Sequence, residues 1–359
     1  MYVLNSSQPG GMEYHVRDLA NGMVSKGHEV YVWSPNGPLV PKFVNHSARK
    51  IKFDIDLGYI FSLFRFLKKH KIDIIHAHEP KSATNAMLSG FLARTKVRVA
   101  HTHTPISKWK VNPIKRKLNI LIYTLLVNLF VTKEIALTES IKKIKIKEGI
   151  RKNKLIVVEP GNAVDVKRFT KDYPDALERM AEIYNFPKDK FIFGCIGRLS
   201  EEKGHFILLN AYKKIVSKDN HLLIAGGGPL EKEIREKVVA FGLENKVTVT
   251  GRFVDEDLVP IYKSIDCFIH PTLAEGWGIV FIEAMLAKIP VIASDLEVLK
   301  EVGGDNAVYF ETGNSYALAK KMFLVNNDKV ASAYIWASSR YTLDKFVNSY
   351  EGLYFSLLE

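Results

Sequence analysis

The stretch His270–Asp295, HPTLAEGWGIVFIEAMLAKIPVIASD, decides how the rest of the chain is read. Two glutamates stand eight residues apart, Glu275 and Glu283, and Gly276-Trp277-Gly278 follows the first. Cys267 to His270 predicts a strand, the apolar run Ile279 to Ala287 a helix, and Pro290 to Ala293 a second strand. Strand, turn, helix, strand is the repeating unit of a parallel sheet. The glycines let the backbone turn tightly and let a ligand approach bare N–H groups. A helix starting just beyond them aims its unpaired N–H groups and positive dipole end back at the turn. That is an anion site suited to phosphate. Gly276, Trp277, Gly278 and Ile279 form it, with Glu275 beside it. Glu283, about one turn inside the helix, faces another part of the same ligand, and a carboxylate there accepts from both hydroxyls of a ribose. The plainer alternative is a solvated helix carrying two surface glutamates.

Towards the N-terminus the unit recurs. Phe191 to Ile196 predicts a strand, and Gly197-Arg198-Leu199-Ser200-Glu201-Glu202-Lys203-Gly204 a turn into a helix. Arg198 and Lys203 stand five apart across this loop. Arg offers phosphate a fork of donors and Lys a compact charge. Together they suit the charge that grows on a departing diphosphate. A surface loop partly neutralised by Glu201 and Glu202 is the alternative. His221 to Ala225 predicts a strand running into Gly226-Gly227-Gly228-Pro229. Val247 to Gly251 predicts another, and Val254-Asp255-Glu256-Asp257-Leu258 then leads to an amphipathic helix. Leu343 to Leu358 carries apolar residues in a helical stripe.

In the first half, Tyr2–Ser6, Val30–Trp33, Asp73–Ala77, Val97–Ala100 and Glu134–Thr138 predict strands. Gln8-Pro9-Gly10-Gly11 is a tight turn, and Met12 to Lys26 a helix closed by Gly27. Two strands end in histidines, His76-Ala77-His78-Glu79-Pro80 and His101-Thr102-His103-Thr104-Pro105. Ligands bind beyond the carboxyl ends of strands in open parallel sheets. Alternate strand residues share a face, so a hydrolytic zinc held by the H-x-H pairs and Glu79 is one reading. Zinc catalysis needs three convergent ligands and an open position. The other reading is satisfied core histidines, above all His76 and His101. Asp54-Ile55-Asp56 has a D-x-D form and is read as a chance match.

A chain of 359 residues accommodates two domains. Two cysteines in strand-like runs, Cys195 and Cys267, give no disulfide framework and fit a reducing, cytoplasmic setting. No signal peptide opens the chain, and Leu118–Thr132 is short for a membrane span. Charge is uneven. Residues 1–160 hold 27 Lys+Arg against 11 Asp+Glu, a net +16, which leaves −4 for the remainder of the +12 total. A basic half implies an anionic partner. The segment Lys108–Lys117, KWKVNPIKRK, leads into the apolar run Leu118–Val131. It reads either as a helix lying on an anionic membrane surface or as a buried helix with a solvated start. Helix-turn-helix, zinc-finger and aromatic RNA-binding signatures are absent from the sequence, so no nucleic-acid partner is expected.

Taken together, these motifs resemble the family 4 retaining glycosyltransferases. Glu275, the GWG turn and Glu283-Ala284-Met285 are similar to their E-x7-E signature, with Trp277 where Phe is commoner. The G-R-L-x-x-x-K-G string at Gly197–Gly204 resembles their donor-phosphate loop, and Gly226–Pro229 their G-D-G-P turn with Gly227 as a departure. Ile156–Asp165 resembles the turn that closes their first domain, with Glu159, Gly161 and Ala163 as departures. The opening GGMEYHVRDLANGMVSKGHEVYVWSP, with its GG-x-x-x-HV form, resembles the phosphatidylinositol mannosyltransferases in particular.

The resemblance implies a GT-B architecture: two Rossmann-like doubly wound α/β domains facing each other across a cleft. Residues 1–165 would take the acceptor, 166–340 the nucleotide sugar, and 341–359 would cross back as a helix. The implied activity is retaining, hexosyl-type transfer from a UDP- or GDP-sugar to a lipid, lipid-linked or envelope-glycan acceptor. The enzyme would be peripheral at the inner face of the membrane. The implied catalytic residues are His103, Glu275, Arg198 and Lys203. Donor contacts fall to Gly11, Arg198, Lys203, Gly227, Val254, Glu275, Gly276, Trp277, Gly278, Ile279 and Glu283. Acceptor contacts fall to Glu13, Thr104 and Lys108. The Glu13 place holds Gln in the lipid mannosyltransferases, so an inositol lipid does not follow. No metal and no cofactor are expected, since Arg198 and Lys203 meet the leaving-group charge. The rivals are a non-hydrolysing nucleotide-sugar epimerase of the same architecture and a zinc hydrolase on the H-x-H pairs.

Overall fold

The computed structural model describes residues 1–109 and 111–359. It contains two compact units, Met1–Ala163 with Tyr341–Glu359, and Val164–Arg340. The junction falls two residues before the boundary placed at 165. Asp165 caps the helix Val166–Thr170 of the second unit, accepting from Lys167 N at 3.1 Å.

The first unit has seven parallel strands: β1 Tyr2–Val3, β2 Val32–Ser34, β3 His46–Ala48, β4 Ile74–His78, β5 Val97–His101, β6 Lys133–Ala136 and β7 Leu155–Val157. Their spatial order is β3-β2-β1-β4-β5-β6-β7. β4 and β5 are buried on both faces apart from the half-buried Ile74 and Arg98, as parallel strands covered by helices are. β1 is shorter than the expected Tyr2–Ser6. Ser7 Oγ bonds Ser34 Oγ and Pro35 O, both at 2.7 Å, and draws the chain out of the sheet.

Four helices matter here: α1 Gly11–Ser25, α2 Leu57–Lys69, α3 Pro80–Ala93 and α4 Pro113–Phe130. Asp56 caps α2, taking Tyr59 N at 3.0 Å and Lys52 N at 2.9 Å, so the D-x-D form has a structural cause. The C-terminal helix Leu343–Leu358 packs on α1 and buries Phe346, Tyr350 and Tyr354 in the core of this unit. Among the described residues, no helix is long and apolar enough to cross a membrane.

The second unit has six parallel strands: β8 Phe191–Ile196, β9 Asn220–Ala225, β10 Val247–Val249, β11 Cys267–His270, β12 Val291–Ser294 and β13 Val308–Phe310. Their order is β10-β9-β8-β11-β12-β13. Counted within each unit, the second sheet runs 3-2-1-4-5-6, the doubly wound Rossmann order, and the first runs the same order with β7 added at the edge. That order reverses between β1 and β4 in the first unit and between β8 and β11 in the second. The crevice beyond the strand ends at such a reversal is where ligands bind. Cys195 and Cys267 are buried free thiols in β8 and β11.

Candidate active site

Both reversals carry the residues singled out in the sequence. In the second unit, β8 runs into Gly197–Gly204 and β11 into the loop ending at Gly278. Gly204 sits at φ +71, and a Cβ there would come within 1.9 Å of Pro271 O. Only glycine permits that approach. Leu273 N donates to Glu202 O at 2.7 Å and Thr272 Oγ1 to the same oxygen at 3.0 Å, locking the two loops together.

The result is an ion pair between Lys203 Nζ and Glu275 Oε1, with His270 Nε2 3.2 Å from the same oxygen. Burial pushes the Glu275 carboxyl up, but the Lys203 charge and the His270 contact outweigh it and hold it at about 2. Lys203, read as a phosphate ligand, is thus also the counter-ion of Glu275. Arg198 is exposed and makes no ion pair among the described residues, so its guanidinium is available to an anion. The loop from β9 packs alongside: Leu199 N donates to Gly227 O at 3.1 Å.

The surface-glutamate alternative is overturned at both positions. The Glu275 side chain is 10% exposed. Glu283 lies on the helix Ile279–Leu286, which is apolar around its circumference and buried accordingly. Gly278 caps that helix at φ +96, and Ile279 opens it behind the turn. Tyr262 OH donates to Glu283 Oε2 at 2.9 Å. Burial nevertheless raises the Glu283 carboxyl to about 7. Trp277 is buried. Val254 stands exposed just ahead of Asp255, whose carboxylate pairs with Arg168 at 3.5 Å. Tyr262 and His270 had no role in the sequence reading. His270 lay within the deciding stretch, but nothing local marks Tyr262 as a partner of Glu283.

In the first unit, β4 and β5 run side by side with His78 opposite His101. His76 stacks on His78 at 4.2 Å between ring centroids, as alternate strand residues do, and His101 stacks at 4.3 Å on His103, just beyond the end of β5. His15, from the first turns of α1, reaches the same place: its ring lies 5.1 Å from that of His101 and 4.9 Å from that of His103. His15 stood in the GG-x-x-x-HV form without a role. His76 is a satisfied core histidine only at Nδ1, 2.7 Å from Tyr354 OH, and its Nε2 is buried without a partner. His101 is satisfied at neither, because both its ring nitrogens are buried without a hydrogen-bond partner. Burial lowers the basicity of His76, His78, His101 and His103 well below the ordinary value.

Glu79, weighed earlier only as a metal ligand, caps α3 at φ +69, a conformation rare outside glycine. Its Oε1 accepts from His103 N at 3.2 Å, and burial raises it to about 7. Of the acceptor positions, Glu13 is buried in the first turn of α1 beside Gly10, Thr104 is half-buried and Lys108 is exposed. Lys110, part of the basic segment, lies outside the described residues. A cleft of about 370 Å³ opens beyond β1 and β2, lined by Ser6, Gln8, Asn36, Lys50 and Lys81 among others. None of Glu13, Thr104 and Lys108 lines it.

Residues 178–337 match the family model of glycosyl transferases group 1, and residues 9–168 match that of Glycosyltransferase Family 4. The capsular polysaccharide biosynthesis glycosyltransferase CapM of Staphylococcus aureus is 26% identical over 319 residues, covering 85% of this chain and 82% of its own. A phosphatidyl-myo-inositol mannosyltransferase of Mycobacterium leprae is 28% identical over 352 residues, 92% of this chain and 88% of its own. Among solved structures, Anabaena Alr3699/HepE in complex with UDP and glucose aligns with a TM-score of 0.85 at 22% identity. That match covers 99% of this chain and 100% of the other, and it bears on the fold.

Proposed function

Because the chain belongs to the family 4 glycosyltransferases of GT-B architecture, we propose that it transfers a hexose, with retention, from a nucleoside-diphosphate sugar to a lipid or glycan acceptor at an anionic membrane surface. The observation that carries the donor half is the Arg198–Lys203 loop clamped onto the Glu275 turn. Arg198 and Lys203 take the diphosphate, aided by N–H groups at Gly276–Ile279. Glu283 takes the ribose, next to Gly227 and Val254, and Glu275 takes a sugar hydroxyl. His103 hydrogen-bonds near the reacting oxygens. As the sugar–phosphate bond breaks, the new negative charge meets two fixed cations, so the reaction needs no metal. Glu275 and Glu283 serve different parts of the donor and do not form the close carboxyl pair of a double-displacement hydrolase.

The acceptor half rests on α4. Ile114, Leu118, Leu121, Ile122, Leu125 and Leu129 fall on one stripe and are each 44–78% exposed. Tyr123, Leu126 and Val127 hold the opposite face in the core. An exposed apolar stripe beginning beside Lys115 and Lys117, on the half with net +16, is complementary to anionic lipid. The buried-helix alternative therefore describes only one face of α4. The relatives named for a phosphatidyl lipid and a capsular polysaccharide bracket the acceptor class.

The test is nucleotide release from a panel of UDP- and GDP-sugars, with and without anionic vesicles carrying a membrane lipid extract. The anomeric configuration of the product is read by NMR. Release from one donor, faster with lipid, retaining and unaffected by EDTA, is the expected result. An inverted product overturns the retention, activity that Mg²⁺ or Mn²⁺ must restore overturns the metal-free leaving group, and no release from any donor overturns the reading.

A further inference from the structure

The histidines of the first unit hold more than the transfer reaction uses. His15, His78, His101 and His103 each offer a ring nitrogen, and these four atoms lie within 4.8 Å of one another. Three separate elements deliver them: α1, β4 and the end of β5. His15 Nε2, His78 Nε2 and both nitrogens of His101 are buried without a partner. A buried polar atom left without a partner is costly, so a cluster of them calls for a ligand.

The chemistry of that ligand follows from the donors. All are imidazoles, and burial keeps them neutral, which is the metal-binding form. Imidazole suits zinc, copper and nickel, whereas Mg²⁺ and Mn²⁺ prefer oxygen. Tetrahedral zinc takes nitrogens at about 2.0–2.1 Å, hence about 3.3 Å apart. His78 Nδ1 and His103 Nε2 stand 3.1 Å apart as a hydrogen-bonded pair, which ligation through either atom would replace. One outer partner is in place: Asn162 Oδ1 accepts from His15 Nδ1 at 3.3 Å, which leaves Nε2 as the ligating atom.

We propose that His15, His78, His101 and His103 form a four-imidazole binding site for a zinc-class divalent cation. The site is not the source of the transfer chemistry. Resting on the role proposed for His103, its occupation withdraws that imidazole from the reacting oxygens, so bound zinc lowers turnover.

The whole chain, stripped with a chelator, is titrated with Co²⁺. The expected result is one equivalent bound with the intense visible bands of tetrahedral nitrogen ligation, displaced by Zn²⁺ and untouched by Mg²⁺. Zn²⁺ also raises the melting temperature by linkage. His103→Gln, at the half-buried member, abolishes the tetrahedral bands. Asn162→Ala, which frees His15 to turn, weakens binding by roughly 10–100-fold. Absent cobalt bands in the folded wild-type chain, or bands unchanged in His103→Gln, overturn the site. Tetrahedral binding without loss of transferase rate keeps the site and overturns the role of His103, which separates the two readings.

Discussion

At the scale of single residues, the two glutamates of the E-x7-E motif are held in opposite states by their surroundings. Glu275 is kept ionised by Lys203 against its own burial. Its stabilising contribution is present above the ordinary carboxylate pKa and is lost as pH falls from about 4.5 towards 2. Lys203→Ala removes the largest cause opposing burial and leaves only the His270 contact against it, so the carboxyl is expected to rise above its ordinary value and the sign to reverse. The variant is expected to lose stability between pH 5 and 8 relative to wild type, read as urea midpoints at both pH values, and about 100-fold or more in turnover. Midpoints that track the wild type would show that Lys203 does not set the state of Glu275.

Glu283 behaves the other way. With its folded value near 7, it favours the protonated folded state, and its contribution declines as pH rises from about 4.5 to 7. In the proposed ribose role, hydroxyls donate to the ionised form of Glu283, so nucleotide affinity should climb with pH through about 7. Glu283→Gln flattens that climb in calorimetric titrations from pH 5.5 to 8.5. A variant that keeps the wild-type pH slope removes Glu283 from the ribose.

At the scale of elements, α4 explains why a helix with little polar character sits at the surface. Its N-cap is secure, with Asn112 Oδ1 accepting from Ile114 N at 2.9 Å. Its inner face is fixed by Tyr123, whose OH donates to the buried Glu134 at 2.7 Å. Leu121 and Leu125 take no part in that packing, at 66% and 58% exposure. Leu121→Glu with Leu125→Glu should abolish co-sedimentation with anionic vesicles while leaving the melting temperature within about 2 °C, because surface substitutions rarely exceed 0.5 kcal/mol. Retained binding would mean that the basic charge alone holds the membrane. Sequence periodicity could not separate this helix from a buried one, since exposure is a property of its neighbours. The glycine turns after β8 and β11 were legible because φ and close approach are local demands. The short β3 and the helix α2 were not. β3 is polar and at an edge, and α2 depends on the remote Asn85, whose Oδ1 accepts from Asp56 N at 2.8 Å.

At the scale of the molecule, the two doubly wound parallel sheets were readable because each strand–turn–helix unit is written within about 40 residues. What escaped was whatever joins distant segments: Lys203 with Glu275, Tyr262 with Glu283, and His15 with the strand histidines. The first unit itself is discontinuous, completed by residues 341–359. Phe346, Val347, Tyr350, Leu353 and Tyr354 are 0–7% exposed there. Tyr350 OH donates to Gly161 O at 3.2 Å, and Ser349 Oγ to Glu159 O at 2.5 Å. Each large apolar side chain contributes about 1.5–3 kcal/mol by burial, so the five together match the roughly 5–15 kcal/mol that stabilises a typical domain. A chain ended after Arg340 should therefore lose the folding transition of the first unit and keep that of the second, whose core cluster contains no residue beyond Val325. Hydrogen exchange separates the outcomes: amides of β4 and β5 become unprotected while those of β8 and β9 stay slow. Protection of β4 and β5 in the shortened chain would mean that the first sheet holds its core without the final helix.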